Sequence, residues 1–173
     1  MHPGADDTRG AKLTISPGEA LPDVQVVRVA ADGPVPAQTG EVLGSGTVVL
    51  FSVPGAFTPS CTDYHLPGFL VHADELRAKG ADTVACIAVN DAFVMSAWGK
   101  ASNVGDEIVL LADGNGDFTR AMGLELDGTA AGLGKRSHRY AAIVRDGVVQ
   151  TLDVESNPGE VTVSSAEAVL EKL

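Results

Sequence analysis

A chain of 173 residues with 45% apolar and 20% charged side chains has ordinary globular composition and the length of one domain, with no room for a second catalytic one. Its formal charge of −11, interrupted by no basic run longer than Lys135-Arg136, repels phosphate backbones and excludes nucleic acid as the expected partner. No apolar run approaches the roughly 18 to 20 residues of a membrane span, so the chain reads as soluble and without a membrane partner.

Met1 to Leu13 mixes Arg, Lys and two Asp without an apolar core, which predicts a flexible leader over 1–13 and one domain over 14–173. Thr47 to Val53 reads as a strand that Pro54-Gly55 stops. Thr58-Pro59 then has the form of a helix start, with Thr58 as N-cap and Pro59 at the first helical position. Pro67 is expected to bend the helical run, ahead of an amphipathic stretch from Phe69 to Lys79 that Gly80 ends. Thr83 to Val89 is a second strand, Asn90-Asp91 a helix cap and Ala92 to Ala101 a helix; Ile108 to Leu111 is a third strand and Phe118 to Met122 a further helix. The three strands are nearly continuous apolar runs, as expected where both faces are covered. Gly128 to Gly134 reads as a loop. Tyr140 to Val144 and Val148 to Val154 flank Asp146-Gly147, which predicts a tight antiparallel hairpin, and a helix after a Ser cap closes the chain over Ser164 to Leu173. Strands alternating with helices define an α/β fold with a central sheet covered by helices.

Cys61 falls in the first turn of the helix that Thr58 opens. A thiol there lies near unpaired backbone N–H groups and the positive end of the helix dipole, which favour the thiolate. Full ionisation gains only about thirtyfold over the ~3% thiolate of an ordinary cysteine at pH 7, too little to explain fast attack on a peroxide alone. Polar donors that stabilise the departing oxygen are also required. Local pattern leaves two readings open: an activated thiol, or a buried cysteine behind a capping threonine.

The segment Pro54-Gly-Ala-Phe-Thr58-Pro-Ser-Cys61 resembles the peroxiredoxin active-site pattern Pro-x-x-x-Thr/Ser-x-x-Cys, and its continuation His65-Leu-Pro-Gly-Phe69 is similar to the type II, peroxiredoxin-five-like subfamily. Val89-Asn-Asp-Ala-Phe-Val94, Trp98-Gly99, Leu111-Ala-Asp-Gly114, Gly123-Leu-Glu-Leu126 and Ser137-His-Arg-Tyr140 extend the likeness from about Ser16 to the C-terminus. The resemblance implies a thioredoxin-like fold with a central mixed β-sheet flanked by α-helices. It further implies a peroxidase without metal or prosthetic group, whose Cys61 reduces hydrogen peroxide or an alkyl hydroperoxide and becomes a sulfenic acid. By the same resemblance, Thr58 hydrogen-bonds the sulfur or the peroxide and Pro54 shields the thiolate. Arg139, presented at a sheet edge, stabilises the thiolate and holds the peroxide. A homodimer is also implied, with Phe57 and Trp98 placed either at its surface or in the monomer's packing.

Cys86 sits in an apolar strand and reads as core, and Val161 to Ser164 holds no resolving cysteine where some relatives carry one. A one-cysteine cycle follows, with glutathione, glutaredoxin or thioredoxin as the external reductant. Two cysteines without a CxxC and without a signal segment place the chain in a reducing compartment, read as the cytoplasm. His65, one turn after Cys61, is assigned to packing or hydrogen bonding ahead of tuning the sulfur. Arg136 and Arg145 are assigned to surface solvation, and His2, His72 and His138 show no metal-ligand spacing. Alternative readings are a peroxide sensor or relay using the same cysteine, and a chaperone-like thioredoxin-fold module.

Overall fold

The computed structural model describes residues 13–173; the leader assigned to 1–13 lies outside the described residues except for Leu13. The three continuous apolar runs form the middle of one sheet as β3 (Thr47–Val53), β4 (Thr83–Ala88) and β5 (Val109–Ala112). Alternation along β3 serves both faces. Val49, Phe51 and Val53, with Cys86 on β4, join one core, while Val48 and Leu50, with Ala85 and Ile87 on β4, join the other. The first core is covered by Leu66–Val71 (α2), Ala73–Ala78 (α3), Ala92–Ala101 (α4) and Ala166–Lys172 (α6); Asp117–Met122 (α5) covers the second, and the short helix α1 (Thr39–Val42) precedes β3.

β3 pairs in parallel with β4, and β4 with β5. On its other side β3 pairs antiparallel with β8 (Tyr140–Arg145), which turns through Asp146 and Gly147, both at positive φ, into β9 (Val148–Val154). This is the predicted hairpin, and Asp and Gly are the residue types that accept that backbone. The sheet is therefore mixed, in the order β2 (Gly33–Gln38), β1 (Gln25–Ala30), β5, β4, β3, β8, β9.

The hairpin of β1 (Gln25–Ala30) with β2 (Gly33–Gln38) was not legible in the sequence. Pro34 and Pro36 read against a strand, yet β2 is the outermost strand, where a missing N–H faces no further partner. The Gly128 to Gly134 loop closes a small hairpin between β6 (Glu125–Asp127) and β7 (Lys135–Ser137). Ser165, one residue later than predicted, caps α6 by accepting from the Ala168 N–H at 3.1 Å. Among the described residues no helix is long and apolar enough to cross a membrane.

Candidate active site

β3 runs out at Val53 into a loop whose backbone is fixed at several points. The Ala56 N–H donates to Asn90 Oδ1 at 2.9 Å, and Phe57 adopts φ +66°, a conformation costly for a side chain with a Cβ. The Thr58 carbonyl accepts the first helical bond, from the Thr62 N–H at 3.0 Å. Its hydroxyl does not cap that helix; it donates to the Gly55 carbonyl at 2.7 Å. A thiol three residues into the helix is thereby set at its first turn, as the sequence requires.

The helix then widens. Cys61–His65 forms a π-turn in which the Leu66 N–H reaches back to the Cys61 carbonyl, just ahead of Pro67, which has no N–H to give the Asp63 carbonyl. Pro67 thus sits in the first turn of α2 without breaking the run, and the expected bend falls at His72, where φ is −98° and ψ 9°. Trp98 Nε1–H donates to Thr62 Oγ1 at 3.1 Å and ties this helix to α4. The indole is wholly buried, which removes Trp98 from any dimer surface; Phe57, by contrast, is 53% exposed.

Cys61 is completely buried, and Arg139 reaches it from the far side of the chain. Arg139 Nη2 donates to Cys61 Sγ at 3.1 Å, Nη1 to His65 Nδ1 at 2.8 Å and Nε to the Pro158 carbonyl at 3.1 Å. Of the five N–H donors of a guanidinium, three are so engaged and two remain. Arg139 precedes β8, which lies between β3 and β9, so the end of an interior strand presents it and not a sheet edge. Arg139 is 2% exposed, and among the described residues its guanidinium has no ion pair with a carboxylate. An isolated buried cation is costly. The sulfur is the group beside it able to carry a compensating negative charge.

His65 fixes the orientation of that cation. Its Nε2 faces the Ser164 carbonyl at 2.9 Å and must carry the proton, which leaves Nδ1 to accept from Arg139. Burial, then the Arg139 charge, lower its pKa to about 3, so the ring is neutral and the pattern is stable at physiological pH. Phe51 and Phe69, stacked at 4.0 Å, pack against the imidazole at 4.9 and 5.5 Å. The hydrogen-bonding assignment made for His65 is the one the geometry realises.

Pro54 is buried at the end of β3, and Thr58 lies in the same turn as Cys61. Cys86, on β4 opposite Phe51, is wholly buried; burial and then the proximity of Cys61 push its thiol pKa well up. Arg145 is exposed as expected. Arg136 is not simply solvated: it is half-buried, donates to the Leu133 and Val89 carbonyls, and lies so close to Gly55 that a Cβ there would meet its Nη1 at 3.2 Å. Of the pair read as a cap, Asp91 does cap α4 by accepting from Val94 N–H, whereas Asn90 holds the active-site loop. Its position directly after a strand was the available signal, but nothing local separates the two roles.

Residues 16–170 match the redoxin family. The chain is 49% identical over 170 residues to chloroplastic peroxiredoxin-2E of Arabidopsis thaliana, covering 96% of this chain and 72% of that protein. It is also 49% identical to chloroplastic peroxiredoxin-2E-2 of Oryza sativa, covering 92% and 73%. Among solved structures, reduced Prx3 of Vibrio vulnificus in complex with H2O2 superposes with a TM-score of 0.86 at 48% identity, covering 92% of this chain and 99% of that one. Both plant relatives are named chloroplastic, which overturns the cytoplasmic assignment. The free thiols behind that assignment separate reducing from oxidising surroundings, not one reducing compartment from another.

Proposed function

The chain belongs to the redoxin family and is a peroxiredoxin of thioredoxin-like fold, a thiol-dependent peroxidase; on that premise we propose that Cys61 is its peroxidatic residue and that it works by a one-cysteine cycle. The observation that carries this reading is the buried Arg139 guanidinium, without a carboxylate partner among the described residues and 3.1 Å from Cys61 Sγ. It sets a positively charged donor at hydrogen-bond distance from the sulfur, where a peroxide would be attacked.

The thiolate attacks one peroxide oxygen and the O–O bond breaks. The sulfur becomes a sulfenic acid, and the other oxygen leaves with the bonding pair as hydroxide or alkoxide and takes up a proton. Two N–H groups of Arg139 remain to meet the charge that develops on the peroxide oxygens. The Thr58 hydroxyl proton is given to Gly55, so its oxygen acts as an acceptor for a peroxide O–H. Pro54, buried and without an N–H, keeps a water-binding group away from the sulfur.

A thiol then condenses with the sulfenic acid, releasing water and forming a mixed disulfide, and a second thiol displaces Cys61 from it. Glutathione with glutaredoxin, or thioredoxin, fits this role, because Cys86 is held as a neutral core thiol by its surroundings. Hydrogen peroxide and small alkyl hydroperoxides are the proposed substrates, and residues 14–173 the domain that acts. Exposed Phe57 and Phe93 favour a homodimer over a monomer.

Steady-state peroxide consumption with each reductant, together with intact mass after one equivalent of peroxide, tests the cycle. Expected are turnover with an external thiol, a wild-type mass gain of 16 Da (about one oxygen) in its absence, and no turnover for Cys61→Ser. A stoichiometric Cys61–Cys86 disulfide, or undiminished turnover in Cys61→Ser, would sink it.

A further inference from the structure

The loop 155–165 supplies the site with acceptors yet holds none of the reacting groups. Its Pro158 carbonyl takes Arg139 Nε at 3.1 Å, its Gly159 carbonyl the Ser60 hydroxyl at 2.7 Å and its Ser164 carbonyl His65 Nε2 at 2.9 Å. Part of the loop stands off the active-site helix: a cleft of about 440 Å³ lies between Tyr64 and Gly68 on one side and Glu160 to Thr162 on the other, and Tyr64 and Val163 are exposed. Hydrogen bonds hold the loop across it, and they converge on Glu155, which directly follows β9 and is 5% exposed. Its Oε2 accepts from Thr162 N–H, Ser164 N–H and the Ser164 hydroxyl at 2.7, 2.9 and 2.6 Å, and its Oε1 from the Thr162 hydroxyl at 2.8 Å. Burial alone would raise its pKa, but these bonds outweigh it and hold the carboxyl below the usual range.

We propose that Glu155 is a positioning residue for the Cys61 reaction, fixing the Ser164 carbonyl so that His65 and, through it, Arg139 stay aimed at the sulfur. This rests on the peroxidase reading above. Each joint is a directional hydrogen bond between buried groups, so a shift of the Ser164 carbonyl frees the imidazole to turn and takes the acceptor from Arg139 Nη1. Gln at 155 is isosteric. Its amide oxygen can occupy the Oε2 place, and the Thr162 hydroxyl can reverse to accept from the amide N–H.

The test uses the full chain and single-turnover oxidation by hydrogen peroxide, followed by the fluorescence of Trp98, the single tryptophan, which is bonded to the active-site helix. Glu155→Ala should slow oxidation by about tenfold, the equivalent of one lost charged hydrogen bond, and Glu155→Gln should recover most of that loss. Glu155→Ala combined with His65→Phe should be no slower than the slower single variant, because the two act in series. If Glu155→Ala does not fold, Thr162→Val with Ser164→Ala, which removes two donors and keeps the carboxylate, should show the same slowing. A folded Glu155→Ala within about twofold of wild type, or a double variant whose losses multiply, overturns the proposal. A wild-type chain inert to peroxide instead sinks the peroxidase reading itself.

Discussion

Cys61 and Cys86 are both wholly buried and both line the same core, yet among the described residues only Cys61 is hydrogen-bonded to a cation. Arg139 Nη2 lies against the Cys61 sulfur, while Cys86 points from the middle of a strand into apolar side chains and its pKa rises through burial. Burial alone therefore does not decide a thiol's reactivity. Equal burial leaves one sulfur hydrogen-bonded to a guanidinium and the other a neutral thiol, whose desolvation the more distant Arg139 charge only partly offsets.

Removing the cation should erase most of that contrast. Arg139→Ala is expected to lower kcat/KM for peroxide by roughly 100- to 1000-fold, the scale for deleting one preorganised donor from an anionic transition state, and to slow alkylation of Cys61 towards that of Cys86. A loss under about tenfold in stopped-flow rates would mean that the two thiols differ for some other reason.

A smaller effect distinguishes the polar site from the apolar core by pH. His65 binds a proton near 6.5 in the unfolded chain but only at about 3 when folded. The unfolded state thus holds more protons between those values, and stability rises with pH there. This contribution is complete above about pH 6.5 and is lost at up to ~1.4 kcal/mol per pH unit as pH falls towards 3. Urea unfolding at a series of pH values should give a shallower acid slope for His65→Phe than for wild type. Equal slopes would show that His65 is not kept neutral.

The smallest change is expected at Cys86. Cys86→Ala should cost about 1 kcal/mol of stability for the lost packing and leave peroxide turnover within about twofold. A larger loss of turnover would give Cys86 a part in the cycle and break the distinction between the two thiols.

Much of the scaffold was legible because its signals are local. The apolar runs of β3, β4 and β5, the Asp146-Gly147 turn and the helix over Ala92 to Ala101 each follow from neighbours within one element. β1 and β2 were missed because prolines count against a strand until its place at the sheet's edge is known. In the site, Pro54, Thr58 and Cys61 stand in one short segment and could be read together. Asn90, Glu155 and Ser164 could not, since each acts through a partner in another segment, as in the 2.9 Å bond from Ala56 N–H to Asn90.

By itself the sequence determined where Cys61 stands: a strand stopped by Pro54-Gly55, a helix begun at Pro59 and a cysteine in its first turn follow from backbone preferences over a few residues. It also named Arg139, through likeness and not through any local rule. Tertiary structure alone decided how that arginine is used. Folding brings it 78 residues along the chain to the sulfur, buries it with no carboxylate partner among the described residues and fixes it through His65 and the 155–165 loop. Charge compensation in a dry interior depends on which groups meet in space, and no pattern of neighbours along the chain encodes that meeting.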